Sequence, residues 1–441
     1  MTPRAAVVVT GTEVLTGRVS DRNGPWLAEQ LRLAGVDIDR IVIVGDRPDD
    51  LASALRALLA TDLALVITSG GLGPTADDLT AAVVAEVQGR PMASDESLRQ
   101  RIAAIIDRLT ARHGGPVDVA ALAAGVAKQA LVPAGAHVLE PVGTAPGLVV
   151  PAPPGASGPP VLVLPGPPRE LQGMWPAALA DEFVRSALSG ATELRQRTIR
   201  LWGTGEPELA ATLRDHADVQ AGLEITTCLR EGELEIVTRF DPASAADYDA
   251  FEDIVVSAYP TTVFSTDGAT VTEVIGRRLT AAGQTVATAE SCTGGLLAAR
   301  LTELAGSSRF FLGGLVAYAN EVKHDQLGVP AELIAEAGAV SEAVAVAMAE
   351  GVRDRLGATY GLGVTGVAGP DGGSADKPVG LVHLAVAGPA GRVTGAGAGS
   401  SSGTVHRRIV ASGTRTDIRA RAVAVAQHLL RRTLERTEGQ D

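Results

Sequence analysis

The chain has 441 residues, a length that suggests about three domains, and 46% of them are hydrophobic but only 3% aromatic, so its cores must be built from Ala, Val, Leu and Ile. Lys and Arg number 38 against 51 Asp and Glu, a formal net charge of -13, which argues against a general nucleic-acid binder while leaving room for a local basic pocket. The start Met1-Thr-Pro-Arg has no signal-peptide layout, no apolar run reaches the roughly 18 residues of a membrane span, and two distant cysteines, Cys228 and Cys292, form no disulfide framework; a cytoplasmic protein is expected.

From the N-terminus, Ala5–Val9 reads as a buried strand ended by Gly11-Thr-Glu-Val-Leu-Thr-Gly17. Asn23–Ala34 has helical spacing, with Trp26, Leu27, Leu31 and Leu33 as candidate core residues. Ile41–Val44, Leu63–Ile67 and Val161–Leu164 read as further strands and Thr80–Val87 as a helix, a βαβα rhythm that predicts a mostly parallel sheet covered on both faces. Between the strand at 63–67 and the helix at 80 lies Ser69-Gly-Gly-Leu-Gly-Pro-Thr-Ala-Asp-Asp-Leu-Thr80. Gly70, Gly71 and Gly73 let a backbone approach a phosphate, Thr75 adds a hydroxyl, and Asp77 and Asp78 suit either a divalent cation or a helix cap. Pro141-Val-Gly-Thr-Ala-Pro-Gly147 and Pro165-Gly-Pro-Pro-Arg-Glu170 have the same loop character, and ligands of open α/β sheets gather at such strand exits. Glu13 and Glu170 are candidates to join the Asp pair. The segment 151–160, five of whose residues are Pro, is excluded from helix and central strand and reads as a surface insertion within this first domain, 1–175.

Over 176–265 the pattern changes to a small α+β module, with strands at Thr198–Leu201, Leu223–Thr227 and Leu234–Phe240 and helices at Leu209–Arg214 and Tyr248–Val255. It has no Gly-x-x-Gly string of the kind that grips nucleic acid. A third block, 268–441, alternates again, with helices at 271–282, 294–305, 341–356 and 416–431 and strands at 285–289, 312–317, 360–364 and 379–387.

Within that block Ala289-Glu-Ser-Cys-Thr-Gly-Gly295 joins a strand to a helix, placing the Ser291 hydroxyl beside helix N-terminal amides that favour negative charge. Tyr318 and Lys323 follow the next strand, and Gly363-Val-Thr-Gly-Val-Ala-Gly-Pro-Asp-Gly-Gly373 is a second Gly-rich strand exit, with Lys377-Pro378 beyond. A Lys of lowered pKa can activate a Ser, Thr365 adds a hydroxyl, and amides at Gly294, Gly295 or Gly366 can bind an oxyanion. Each residue also has an ordinary reading: Ser291 as a helix N-cap, Lys323 as a solvated loop cation, Tyr318 as a strand-end packing residue, Cys292 as a small buried residue or as the rival nucleophile.

The strings Gly70-Gly-Leu-Gly-Pro-Thr-Ala-Asp-Asp-Leu-Thr80, Ala289-Glu-Ser-Cys-Thr-Gly-Gly295 and Gly366-Val-Ala-Gly-Pro-Asp-Gly-Gly373 with Lys377-Pro378 resemble the CinA family, in the family's order along essentially the whole chain. The resemblance implies two three-layer α/β domains flanking a small KH-like α+β domain. The first is a molybdopterin-binding, MoaB/MogA-like domain associated with metal-dependent hydrolysis of ADP-ribose, a divalent cation falling on Asp77, Asp78 and Glu170. The last is an amidohydrolase that converts nicotinamide mononucleotide to nicotinate mononucleotide and ammonia without a cofactor, serving NAD salvage. On the positions that match, the resemblance makes Ser291 the nucleophile with Tyr318, Lys323 and Thr365 around it. Arg415, with Arg419 as neighbour, falls where the family holds the nucleotide's phosphate. The family's usual Gly-Asp-Arg is Gly413-Thr-Arg415 here, and its Pro-Gly-Val-Pro-x-Glu-Met is Pro165-Gly-Pro-Pro-Arg-Glu-Leu171. The resemblance implies a homodimer; the lack of an apolar span and of a Gly-x-x-Gly string, with the acidic charge balance, leads to the expectation of no membrane and no nucleic-acid partner. The reading from another class is a nucleotide- or pterin-binding regulatory protein, associated with competence, that turns nothing over.

Overall fold

A computed structural model describes residues 2–113, 118–153, 155–230, 232–389 and 403–438. The chain divides into two compact units, Met1–Arg195 and Gln196–Asp441.

The first unit contains β1 (Arg4–Thr10), β2 (Asp37–Val44), β3 (Leu65–Ser69), β4 (Met92–Ser94), β5 (Leu131–Pro133), β6 (His137–Leu139), β7 (Gly147–Val150) and β8 (Val161–Leu164). Six of them form one sheet in the order β2-β1-β3-β8-β7-β6, and β4 pairs with β5. β2, β1, β3 and β8 run parallel, as the βαβα rhythm predicts, but β7 pairs antiparallel to β8 and β6 antiparallel to β7, so that β7 alone is reversed in this sheet. The Pro-rich 151–160 segment, of which Pro154 lies outside the described residues, joins β7 directly to β8. It carries no crossover helix, and only an antiparallel pair can be joined without one.

The period-2 alternation of the strands divides the core in two. Ala6 and Val8 face Leu51, Leu55, Val83 and Ile102 on one side, while Ala5, Val7 and Val9 face Leu27, Leu31, Leu171 and Trp175 on the other. Trp26 and Leu33, expected in the core, are only half-buried; Trp26 meets Trp175 edge-on at 5.9 Å. Helices Glu96–His113 and Val119–Gln129 fill a stretch that the sequence reading left without elements.

The second unit opens with β9 (Arg195–Trp202), β10 (Leu223–Arg230), β11 (Glu233–Phe240) and β12 (Val263–Ser265), a sheet in the order β10-β11-β9-β12. Helices Glu206–Asp215 and Ala245–Ala258 pack Leu209, Phe251 and Val255 against its Ile199, Leu201 and Ile236. Next come β13 (Val286–Glu290), β14 (Phe311–Val316), β15 (Tyr360–Gly366), β16 (Leu381–Ala387) and β17 (Thr404–Val410), ordered β14-β13-β15-β16-β17. β14, β13 and β15 are parallel; β16 pairs antiparallel to β15 and β17 antiparallel to β16, so that of the five only β16 is reversed. Helix Glu342–Leu356 lies close on this sheet because β15 offers glycines beneath it. A Cβ on Gly361 would sit 2.0 Å from the Ala349 carbonyl, and one on Gly363 2.3 Å from that of Ala345. Helix Arg415–Glu438 covers the opposite face through Ile418, Ala422, Val425 and Leu430. Among the described residues, no helix is long and apolar enough to cross a membrane.

Candidate active site

At the exit of β13 the Ser291 amide donates to Val364 O of β15 at 2.9 Å, fixing the turn between two parallel strands. The preceding side chain decides what this turn can do. Glu290 is buried, and its carboxylate accepts the amides of Gly295 (2.9 Å), Leu297 (3.0 Å) and Ala298 (2.8 Å). The first amides of helix Leu296–Thr302 are thus satisfied from inside the protein. This corrects two expectations. Ser291 is not the helix cap, and Gly295 and the helix N-terminus do not serve an oxyanion. Gly294 is excluded as well, because its amide donates to Ser291 O at 3.1 Å. Among the described residues, the amides of Cys292 and Thr293 in this turn reach no acceptor elsewhere in the chain. The Thr293 hydroxyl is buried without a partner. Glu290→Gln keeps the shape but turns an N–H₂ group toward backbone N–H donors; a stability loss of about 1–3 kcal/mol is expected, read as a lowered Tm.

Lys323, on helix Asn320–Leu327, is 1% exposed, so it is no solvated loop cation. Its Nζ donates to Ala317 O and to Tyr318 O, each at 2.9 Å. Burial pushes its pKa below the ordinary Lys value. In its neutral form the amine would spend both N–H bonds on these carbonyls and keep its lone pair free. Cys292, next to Ser291, is buried, and burial pushes its thiol up to about 11, the wrong direction for a thiolate nucleophile.

Tyr318 is exposed at the rim, and its hydroxyl accepts from Arg415 Nη2 at 3.0 Å rather than engaging Lys323. Arg415 Nη1 donates to Gly369 O at 2.7 Å. Arg419 is occupied differently: Nε donates to Cys292 O at 3.1 Å and Nη2 to Thr293 O at 2.7 Å, so it braces the Ser291 turn from below. Of the two, Arg415 is the exposed one. Thr414, where the family usually has Asp, forms a reciprocal cap with Asp417, its amide and hydroxyl donating to Oδ2 at 2.8 and 2.6 Å. Thr is a weaker cap than Asp but still starts the helix, with Arg415 in its first turn. Thr365 donates to Ala339 O at 2.8 Å, and Gly366 pairs with Val382 inside the sheet.

The sequence reading missed two histidines. His383 stands directly across from Thr365 in the β15–β16 register, its Nδ1 3.0 Å from His406 Nε2, and His406 Nδ1 lies 3.3 Å from Glu342. Burial, then the neighbouring His406, holds His383 down to about 4, so the ring is neutral at pH 7.

In the first unit a cavity of about 700 Å³ lies at the carboxyl ends of β1, β3 and β8, with Gly70, Gly71, Gly73, Asp77, Asp78 and Glu170 on its wall. Asn23, also missed, ties these exits together, Nδ2 donating to Ser69 Oγ (2.8 Å) and Gly166 O (2.7 Å), while its buried Oδ1 has no partner. Gly70 has φ +108°, and a Cβ there would lie 2.6 Å from Thr10 O, so this glycine is required by strand packing as much as by any ligand. The three proposed cation ligands do not converge. Asp78 is taken by the amide (2.9 Å) and hydroxyl (2.5 Å) of Thr75, and Glu170, its pKa raised by burial, packs against Gly143. Among the described residues no group of three or more His, Cys, Asp or Glu side chains is arranged for a metal. As they stand, these residues do not fit a cation.

Fold and sites together define a two-unit α/β protein. Residues 6–185 match the family described as a probable molybdopterin binding domain, and residues 268–434 that described as the CinA C-terminal domain. A CinA-like protein of Mycobacterium sp. (strain JLS) is 52% identical over 438 residues, covering 99% of this chain and 100% of that one. One from Mycobacterium tuberculosis is 48% identical over 441 residues, covering 99% and 98%. A crystal structure of the competence/damage inducible protein CihA from Agrobacterium tumefaciens is 40% identical, covering 38% of this chain and 99% of that one, with a TM-score of 0.34. The chain belongs to the CinA-like protein family.

Proposed function

We propose that the C-terminal site is a serine amidohydrolase that removes ammonia from nicotinamide mononucleotide. The observation that carries this reading is the buried Lys323, whose Nζ donates to two carbonyls and whose pKa is lowered by burial. Such an amine is a base suited to a hydroxyl nucleophile, and Ser291 is the hydroxyl that Glu290 releases from capping duty.

Ser291 Oγ attacks the carboxamide carbon as its proton passes to Lys323. The amides of Cys292 and Thr293 receive the oxyanion. The tetrahedral intermediate collapses, the proton returns to the leaving nitrogen, and ammonia departs. Water then attacks the acyl ester, Lys323 taking its proton, and the carboxylic acid leaves as Ser291 is restored. Arg415, aimed by its bonds to Gly369 and Tyr318, pairs with the phosphate, a role that a chain of net charge -13 must assign to a local cation. No step calls on a metal. The test is ammonia release from nicotinamide mononucleotide with and without chelator: equal rates are expected, and no release from folded protein would reject the reading.

The cavity at the β1, β3 and β8 exits and the orphaned Asn23 Oδ1 favour a second, nucleotide- or pterin-sized ligand in the first unit. ADP-ribose is the substrate to assay, with added divalent cation. Saturable binding without AMP release would make this unit a sensor rather than a pyrophosphatase.

A further inference from the structure

His383 and His406 take no part in the chemistry proposed for Ser291, yet they sit at its level in the sheet. His383 lies between Thr365 of β15 and Arg408 of β17 in the strand register. The two rings meet end to end: Nδ1 of His383 is 3.0 Å from Nε2 of His406, with centroids 5.2 Å apart and planes 18° from parallel. That is the geometry of a single N–H···N bond. Glu342, 3.3 Å from His406 Nδ1, sets its direction. His406 turns its Nδ1 proton to the carboxylate, its Nε2 is left as acceptor, and His383 Nδ1 donates.

The chain Glu342–His406–His383 fastens an element that has few other ties. β17 is the edge of its sheet and pairs with β16 alone. Its side chains alternate between the two faces, and those turned to helix Glu342–Leu356 are Thr404, His406 and Arg408, with no apolar residue among them. What holds this face to the helix is therefore polar: Thr404 donates to Glu350 at 2.6 Å, and His406 meets Glu342. Beyond β17 the Ala411 amide donates to Gly380 O at 2.9 Å, and the short run to Thr414 delivers Arg415.

The bond between the rings requires both to be neutral. A proton added to His406 Nε2 would set two N–H groups face to face. One added to His383 would bury a cation beside Arg408 of β17, Lys377 of the loop before β16, and the amino end of helix Glu342–Leu356. Of the facing carboxylates, Glu342 opposes this effect and Glu350 is taken by Thr404. Burial, then His406 and Arg408, holds His383 down to about 4, and burial lowers His406 as well. Once the rings separate they return toward the ordinary His value of about 6.5. Between those values the open form binds a proton that the closed form lacks. Closure is thus complete above the ordinary value and loses ground as pH falls through the window.

We infer that Glu342, His406 and His383 form an acid-sensitive clamp on β17, and that the two histidines are positioning residues for Arg415. Mild acid releases the strand and weakens nucleotide binding. The clamp stands on its own contacts; its effect on the nucleotide rests on the role proposed for Arg415.

The first measurement needs no ligand. Backbone hydrogen exchange of the full chain, corrected for intrinsic rates, is compared at about pH 7 and about pH 5 with that of His383→Asn/His406→Gln. In this variant an amide donor and an amide acceptor stand in for the two ring nitrogens, and neither titrates. Protection of the β17 amides is expected to fall at least about threefold at the lower pH in the wild type, more than in β13 or β15, and to hold in the variant. Protection independent of pH in the wild type, or lost equally in the variant, overturns the clamp. The second measurement is calorimetric titration of nicotinamide mononucleotide into both chains carrying Ser291→Ala, which blocks turnover. The phosphate itself gains a proton near about pH 6, so the variant supplies the ligand's own share of the weakening. A further loss of about threefold or more is expected with the histidines present. Equal pH courses overturn the positioning of Arg415, and absence of binding at every pH rejects the amidohydrolase reading while exchange still decides the clamp. Should the double variant melt early, His383→Asn alone decides by the same comparisons.

Discussion

Ser291→Ala is expected to lower ammonia release from nicotinamide mononucleotide by on the order of 10⁴-fold or more, the scale at which removing a serine nucleophile acts, while Cys292→Ala keeps most of the activity. The contrast follows from what each side chain is engaged in. The Cys292 thiol is buried and its pKa is pushed up to about 11, so thiolate is scarce at neutral pH. Ser291 sits in a turn whose geometry is imposed by others: β15 through Val364, Arg419 through the carbonyls of Cys292 and Thr293, and Glu290 through the helix amides. Losing its hydroxyl leaves that scaffold in place, so Ser291→Ala should melt close to the wild type and still bind the nucleotide. The measurement is single-turnover ammonia release beside a thermal melt. If Cys292→Ala abolishes turnover and Ser291→Ala does not, the nucleophile is misassigned.

The strings that carry chemistry were legible because each lies at a strand exit, where a hydrophobic run stops and small polar residues begin. Val161–Leu164 and Thr80–Val87 were located end to end for that reason. What could not be read is the partner a side chain finds across the fold. Glu290 is one residue from Ser291, and nothing in its spacing says that it will reach forward to the amides of Gly295, Leu297 and Ala298. Arg415 and Arg419 are one helical turn apart and look equivalent in sequence; the structure separates them, one to a rim and one to backbone carbonyls. His383 lies in the middle of an apolar strand, and His406 lies on β17, which the reading did not place at all. Two-residue cross-strand constellations of this kind have no sequence period. The carboxylates of the first unit show the converse: adjacency of Asp77 and Asp78 suggested a cation site, but a neighbouring Thr captured one of them.

Lys323→Met tests the base and the electrostatics together. Met matches the stem in length and carries no proton, so activity should fall by roughly 10²–10⁴-fold, the usual contribution of a positioned base. The stability signature is separate. Burial lowers the folded-state pKa of Lys323 below its unfolded value. Between those two values the unfolded chain holds a proton that the folded chain lacks, so wild-type stability rises with pH across that window. Below the folded pKa both states are charged, and the cost of burying the ammonium is present in full. Above the unfolded value both are neutral, and it has gone. The difference in Tm between Lys323→Met and the wild type should therefore move in the wild type's favour as pH rises from neutral toward the ordinary Lys range, even though the variant leaves the carbonyls of Ala317 and Tyr318 without their donor at every pH. The wild type's kcat/KM should climb with pH through the lowered Lys323 value and then level. A Tm difference independent of pH would mean that Lys323 titrates as an ordinary lysine, and the mechanism would lose its base.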